Sequence, residues 1–263
     1  MAGTEAFKHS TPALYDRYMV PLLFEPFARL VAERSVRLGP ANILETATGT
    51  GVLTRALNEA VPTAQIVATD VNPAMLEFAS HQMVSDQVTF EQANAQDLPY
   101  EHGSFDMVVC QFGVMFFPDK VRANAEARRV LRPGGHYVLV AFDRLELNPI
   151  PKAAEEAVAS LFPDDPPHYM ERGPFSYTDP ALIERDLRSA GFTEVKVETI
   201  ELASHVTARD AAQGMVLGSP FRAEIEKRDP NALERATDAV TEALTPWDGK
   251  YAPLSAHVAT STR

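Results

Sequence analysis

Ile43-Leu44-Glu45-Thr46-Ala47-Thr48-Gly49-Thr50-Gly51 is a short apolar run that closes on an acid and then breaks into a loop of small residues. Helix formers follow from Val52 to Ala60, so the order predicts a strand, a tight turn and a helix N-terminus. Gly49 and Gly51 permit backbone conformations and close approaches that a side chain would forbid. The helix start presents free N–H groups and partial positive charge, a seat for an anionic ligand group. A second apolar run, Gln65 to Thr69, delivers Asp70 about 20 residues after the glycines, the spacing at which a carboxylate accepts the hydroxyls of a nucleotide ribose.

The nucleotide itself is narrowed by position 54. A dinucleotide fingerprint of the form G-x-G-x-x-G needs a third glycine there, and this chain has Thr54, which disfavours NAD or FAD. Instead the loop resembles that of the class I S-adenosylmethionine-dependent methyltransferases. Three further stretches carry the same resemblance in the same order: Ile66 to Leu76, Asn94 to Val109, and Leu131-Arg132-Pro133-Gly134-Gly135 leading into Tyr137 to Val140. By pattern the likeness is to the small-molecule group that includes the ubiquinone/menaquinone C-methyltransferases.

What the resemblance implies is specific. The fold would be a doubly wound, Rossmann-like seven-stranded sheet of order 3-2-1-4-5-7-6, with an antiparallel last strand inserted between strands five and six. The chain 1–263 would be one domain, with an N-terminal helical lid at 1–40, a cofactor-binding core at 41–143 and substrate-side insertions at 144–177 and 208–246. The cofactor would be S-adenosyl-L-methionine. Gly49, Gly51 and the flanking Thr46 and Ala47 would approach its methionine end, with Glu45 balancing the ammonium directly or through water. Asp70 would take the ribose, Val71 and Met75 would sandwich the adenine, and Asn94, Ala95 and Gln96 would read the adenine edge. Gln111, Phe112 and Gly113 would help hold the amino-acid end, and Tyr18 and Tyr15 would lid the cofactor. Tyr15, His168, Tyr169, Arg172 and Phe175 are the candidates for lining an acceptor pocket. Three residues depart from the family pattern: Glu45 for Asp, Asn94 for Asp, and Ala47 for a glycine, the last tolerable if its φ stays negative.

Elsewhere the pattern alternates strands near 42–46, 64–69, 87–91, 105–110 and 136–142 with helices near 52–60, 73–84 and 118–131. Several strands are continuous apolar runs, as expected of a parallel sheet covered on both faces. Ahead of them the first forty residues read as two short helices, because Pro21 and Pro26 forbid one uninterrupted helix. Beyond them a proline-punctuated insertion holds one helix near 151–162, then come a helix from Pro180 to Ala190, a strand through Val195, Val197 and Ile200, a mainly helical 208–246, and a last strand at 256–259. His205 and His257 fall in strands near the sheet edge and read as structural.

Composition bounds the function. With 24 Lys and Arg against 36 Asp and Glu, a net charge of −12 repels phosphate backbones, which argues against nucleic acid as a substrate. One cysteine, Cys110, excludes an internal disulfide and a cysteine-rich metal site, and its apolar surroundings make it a buried small hydrophobe. No window is long and apolar enough for a membrane span, and Met1 to Ala6 lack a signal peptide's basic and apolar regions, so a cytoplasmic location is expected. Neither a metal-ligand spacing nor a nucleophile elbow appears. The leading expectation is in-line transfer of a methyl group to an O, N or C nucleophile of a small molecule, with a base needed only if the acceptor must lose a proton. A non-catalytic S-adenosylmethionine-binding protein and, behind it, a nicotinamide-dependent oxidoreductase are the alternatives.

Overall fold

The computed structural model describes residues 12–263. Seven strands form one sheet: β1 (Asn42–Thr46), β2 (Gln65–Asp70), β3 (Val88–Gln92), β4 (Phe105–Gln111), β5 (Leu131–Phe142), β6 (Glu194–Val206) and β7 (Lys250–Thr262). Their order is β3-β2-β1-β4-β5-β7-β6, parallel from β3 to β5, with β7 antiparallel to both of its neighbours. The expected topology is therefore the observed one. β4 at the centre is buried from Phe105 to Cys110, which explains its unbroken apolar run.

Helices α1 (Glu25–Leu38), α2 (Val52–Ala60), α3 (Pro73–Gln82) and α4 (Lys120–Val130) accompany the parallel half of the sheet. Asn72 caps α3 through Ala74 N at 3.0 Å, and Asp119 caps α4 through Arg122 N at 2.9 Å. α5 (Pro149–Leu161), a single turn at Tyr169–Arg172, α6 (Pro180–Ser189), α7 (Ala208–Gln213), α8 (Phe221–Arg228) and α9 (Leu233–Leu244) make up the remainder.

Two expectations need correction. The N-terminal segment is not two helices broken at Pro21: a helical path runs from Pro12 to Leu38, with a π-helical stretch at Tyr15–Phe24 that contains Pro21. The wider π turn, closed by the Glu25 N–H on Val20 O, shifts the carbonyl that a proline ring strikes in an α-helix. β6 and β7 are 13 residues each, far longer than the alternating or apolar cores at 195–200 and 256–259 suggest. Each strand supplies the other's backbone partners along that whole length, so pairing carries them past their apolar centres. His205 sits on the edge strand β6 and the buried His257 on β7 beside it, both near the sheet edge as expected. The reading of Met1 to Ala6 lies outside the described residues.

His257 is buried among polar partners. Its Nε2 lies 2.9 Å from Thr178 O and 3.3 Å from Asp143 Oδ1, while its Nδ1 lies 3.0 Å from Thr199 Oγ1. Ser255 Oγ donates to the other Asp143 oxygen at 2.8 Å. This buried polar knot ties the end of β5 to β7 and to the insertion that follows.

Candidate functional site

Where β1, β2 and β4 end, their loops enclose a cavity of about 190 Å3. Its glycine wall begins at Thr48, whose N–H donates to Thr69 O at 2.9 Å, and turns through the Gly51 N–H on Thr48 O at 3.0 Å. Gly49 and Gly51 have φ of +56° and +84°, which explains the need for glycine at both. Asp70 ties this wall to the next one: Oδ2 accepts the Gly49 N–H at 2.9 Å and Oδ1 accepts the Asn72 N–H at 2.8 Å. Burial raises the Asp70 pKa, and these backbone donors work against that rise. The Val71 N–H is a third such donor, and the two carboxylate oxygens together keep lone-pair capacity for a further one.

The loops after β1 and β4 carry strain. Ala47 and Phe112 hold φ of +55° and +54°, so Ala47 does not keep the negative φ that its methyl group favours. The two loops abut so closely that a Cβ on Gly113 would fall 2.4 Å from the Ala47 Cβ. Two left-handed residues with side chains, side by side at a ligand-sized cavity, are the kind of outlier found at functional sites.

Of the sequence candidates, Tyr15, Ala47, Gly49, Asp70, Val71, Met75, Asn94, Ala95, Gln96, Gln111, Phe112 and Gly113 line this cavity together. Four do not. Glu45 and Thr46 are buried within β1, beneath the loop. Gly51 is the N-cap of α2, and a Cβ there would approach the Ala79 Cβ to 3.2 Å. Tyr18 turns to a separate groove with Pro21 and Leu22, under the Arg17 guanidinium. The π winding is the cause: a spacing of four puts Tyr15, Met19 and Leu23 on one face, and Tyr18 and Leu22 on another.

A second, smaller space of about 40 Å3 adjoins the first and shares Tyr15, Phe24, Phe112 and Phe116 with it. Tyr169 and Phe175 line it, as does Phe142, which stacks between Phe112 and Phe175 at 4.1 and 4.7 Å between ring centres. His168 and Arg172 point elsewhere. Both are exposed on the single-turn helix and its flank, with His168 Nδ1 3.4 Å from Glu171 Oε2. Burial pushes the Tyr15 and Tyr169 phenols far up, so both stay protonated at neutral pH.

Several wall residues escaped the sequence reading. Thr48 and Thr50 belong to the quoted loop and were legible there as hydroxyls between glycines. Phe24 and Phe116 reach the cavity only through tertiary packing. Two buried polar atoms on lining residues, Thr50 Oγ1 and Gln111 Oε1, have no hydrogen-bond partner among the described residues. Unpaired buried polar atoms on residues that line the same cavity as the Asp70 carboxylate fit a ligand with both hydroxyl and charged amino-acid groups. No group of three or more metal-ligating side chains occurs among the described residues. Cys110 is buried, and its thiol is pushed up to about 11 by burial.

The comparisons agree with this geometry. Residues 44–139 match the model of a methyltransferase domain family. The chain is 40% identical over 116 residues to the demethylmenaquinone methyltransferase of Deinococcus radiodurans, covering 43% of this chain and 48% of that protein. It is 38% identical over 125 residues to the ubiquinone/menaquinone biosynthesis C-methyltransferase UbiE of Hahella chejuensis, covering 46% and 49%. The match thus spans about half the length of these curated relatives. A solved SAM-dependent methyltransferase of Thermotoga maritima shares the fold with a TM-score of 0.57, at 19% identity over 98% of each chain. Residues 44–139 are a methyltransferase domain, set in the class I S-adenosylmethionine-dependent methyltransferase fold.

Proposed function

We propose that the whole chain is an enzyme that transfers a methyl group from S-adenosylmethionine to a small-molecule acceptor. One observation carries the reading: the glycine wall and Asp70 meet across a single cavity, joined by the Gly49 N–H on Asp70 Oδ2 at 2.9 Å. When bound, the cofactor supplies an electrophilic methyl on sulfur. The chain's part is to hold and to exclude. Asp70 takes the ribose hydroxyls on its free lone pairs, Val71 and Met75 flank the adenine, and Asn94 to Gln96 form its edge. Asn94 Oδ1 already accepts the Gln96 N–H at 3.0 Å, which fixes the loop for that task.

Tyr15, Phe24, Phe112 and Phe116 stand between the two spaces and keep water from the reacting atoms. Among the described residues, Asp70 is the sole carboxylate lining either space, and no described lysine or histidine lines them. The protonated phenols of Tyr15 and Tyr169 donate hydrogen bonds rather than accept protons. Rate then comes from positioning, and the acceptor presents a nucleophile that needs no strong protein base. The aromatic lining supports an apolar, ring-bearing acceptor, in line with the quinone chemistry in the relatives' names. Tyr15 to Phe24, with α5 and the turn at Tyr169–Arg172, serve as the acceptor-side cover. N-terminal residues 12–38 and the insertions at 144–177 and 208–246 are read as parts of one catalytic unit in the cell interior; no described helix is long and apolar enough to cross a membrane.

Calorimetric titration with S-adenosylhomocysteine and NADH tests the cofactor. Micromolar binding of the first and none of the second is expected; the reverse would restore the nicotinamide reading. Release of S-adenosylhomocysteine from S-adenosylmethionine in the presence of ring-bearing acceptors tests turnover.

A further inference from the structure

The smaller of the two spaces is walled by a stack of three rings. Phe142, the last residue of β5, lies between Phe112 and Phe175 with interplanar angles of 22° and 24°. Phe142 is 2% exposed, and its neighbour in sequence is pinned. Asp143 accepts from Ser255 Oγ at 2.8 Å, and its own N–H donates to Ser255 O at 3.1 Å. Every described residue around this space is buried or half-buried, and none is exposed. A packed, anchored ring stack of this kind does not yield to a ligand without cost.

The volume limits what enters. One water needs about 10–15 Å3 of such space, so room for about three waters remains, roughly the bulk of one six-membered ring. The polar atoms are few. Ser219 Oγ is already engaged, donating to Met215 O at 2.5 Å and accepting the Phe221 N–H at 3.2 Å. The Tyr169 ring stacks on Phe221 at 5.7 Å between centres, and its hydroxyl has no hydrogen-bond partner among the described residues. A buried phenol left unpaired is costly, and a ligand oxygen would answer it.

We infer that Phe142 and Tyr169 set the size and polarity of the acceptor: the ring wall admits a single oxygen-bearing ring and rejects one with an alkyl tail, while the Tyr169 hydroxyl donates to the ring oxygen. The inference rests on the methyl-transfer reading and narrows it. It also separates this chain from the full quinones in its relatives' names, whose isoprenoid tails have no path past Phe142. The sign of the tail's effect is diagnostic. In an open apolar channel each buried methylene would strengthen binding about fourfold. Behind a closed wall the tail must stay in water or force the stacked rings apart, so it weakens binding.

Calorimetry on the full chain saturated with S-adenosylhomocysteine tests both residues with three ligands: hydroquinone, 2-hexylhydroquinone and toluene. Wild type is expected to bind hydroquinone at least tenfold more tightly than 2-hexylhydroquinone. Phe142→Ala should shift that preference at least tenfold toward the tailed ligand, a gain that damage to the fold does not produce. Tyr169→Phe keeps the stack on Phe221; it should weaken hydroquinone about fivefold and leave toluene within about twofold. A wild-type preference for the tailed ligand, or the same preference in Phe142→Ala, overturns the wall. Should Phe142→Ala fail to fold, Phe142→Leu decides by the same shift in preference. Unchanged hydroquinone affinity in Tyr169→Phe, or equal loss of hydroquinone and toluene, overturns the role of the hydroxyl. If S-adenosylhomocysteine binds but neither hydroquinone nor toluene does, this inference alone falls; a chain that does not bind S-adenosylhomocysteine fails earlier, at the cofactor reading.

Discussion

Asp70 serves two walls at once, accepting backbone N–H groups from Gly49 and Asn72 while facing the cavity. Asp70→Ala should therefore weaken S-adenosylhomocysteine binding by about 1–3 kcal/mol, measured by calorimetry; unchanged affinity would mean the ribose is held elsewhere. Glu45 adds a pH dependence. Burial lifts its pKa from 4.5 to about 7, against the pull of the Thr54 and Thr48 hydroxyls and of Arg55, with Asp70 adding to the lift. A raised carboxyl stabilises the fold fully below its unfolded value and loses that stabilisation as pH rises through the folded value. The ligand-free protein should lose up to about 3 kcal/mol from this group between pH 4.5 and about 7. Glu45→Gln should flatten that slope in denaturant titrations, and an unchanged slope would reject the assignment. Gly113 belongs to the same scale. Its substitution by Ala drives a methyl group into Ala47, already at φ +55°, and should cost about 1–3 kcal/mol of stability in the same titrations. The glycine loop and Asp70 were legible from residue type and spacing alone. The sign of the Ala47 φ was not, because it is imposed by the abutting β4 loop and not by its own neighbours in sequence.

Among elements, those with local signals were legible and those without were not. α2 runs from Val52 to Ala60, the expected bounds, because a glycine turn starts it and the chain's own periodicity sustains it. Asn72-Pro73 and Asp179-Pro180 mark helix starts that the structure keeps, through side-chain caps at 3.0 and 2.9 Å. The π stretch at Tyr15–Phe24 has no comparable sequence mark. It packs on a second π stretch, Gly214–Gly218, through glycines: a Cβ on Gly218 would come within 3.1 Å of Tyr15 N, and one on Gly214 within 2.9 Å of the Tyr18 Cβ. Gly218→Val should push the Tyr15 segment off the cavity and weaken S-adenosylhomocysteine binding several-fold. Affinity and thermal midpoint both matching wild type would show that the segment does not depend on this contact. Arg55 supports the same cover from the other side, reaching Asp16 at 2.9 Å and Thr50 O at 2.7 Å.

Over the whole molecule, the parallel half of the sheet was legible and the antiparallel half only in outline. Strands β1, β2 and β4 are short, mostly apolar runs, β3 is a short alternating edge strand, and all four are bounded by turns or helix caps, so their limits follow from pattern. β6 and β7 are held by each other over 13 residues, and long-range pairing leaves no period to read in a strand that carries Pro253. The acceptor side was the least legible for the same reason: Phe24, Phe112, Phe142 and Phe175 come from four separate parts of the chain and meet only in the fold. The Asp143–Ser255–His257 knot should matter to stability but not to the ligand. His257→Leu is expected to lower the thermal midpoint, at a cost of about 2–4 kcal/mol, with S-adenosylhomocysteine affinity retained. The central claim is that one cavity, bounded by the glycine wall and Asp70, receives the adenosyl ligand. Crystallographic density for bound S-adenosylhomocysteine measures it most directly. The account predicts ribose hydroxyls on the Asp70 carboxylate and the amino-acid tail along Ala47 to Thr50; density for the ligand in any other crevice would contradict it.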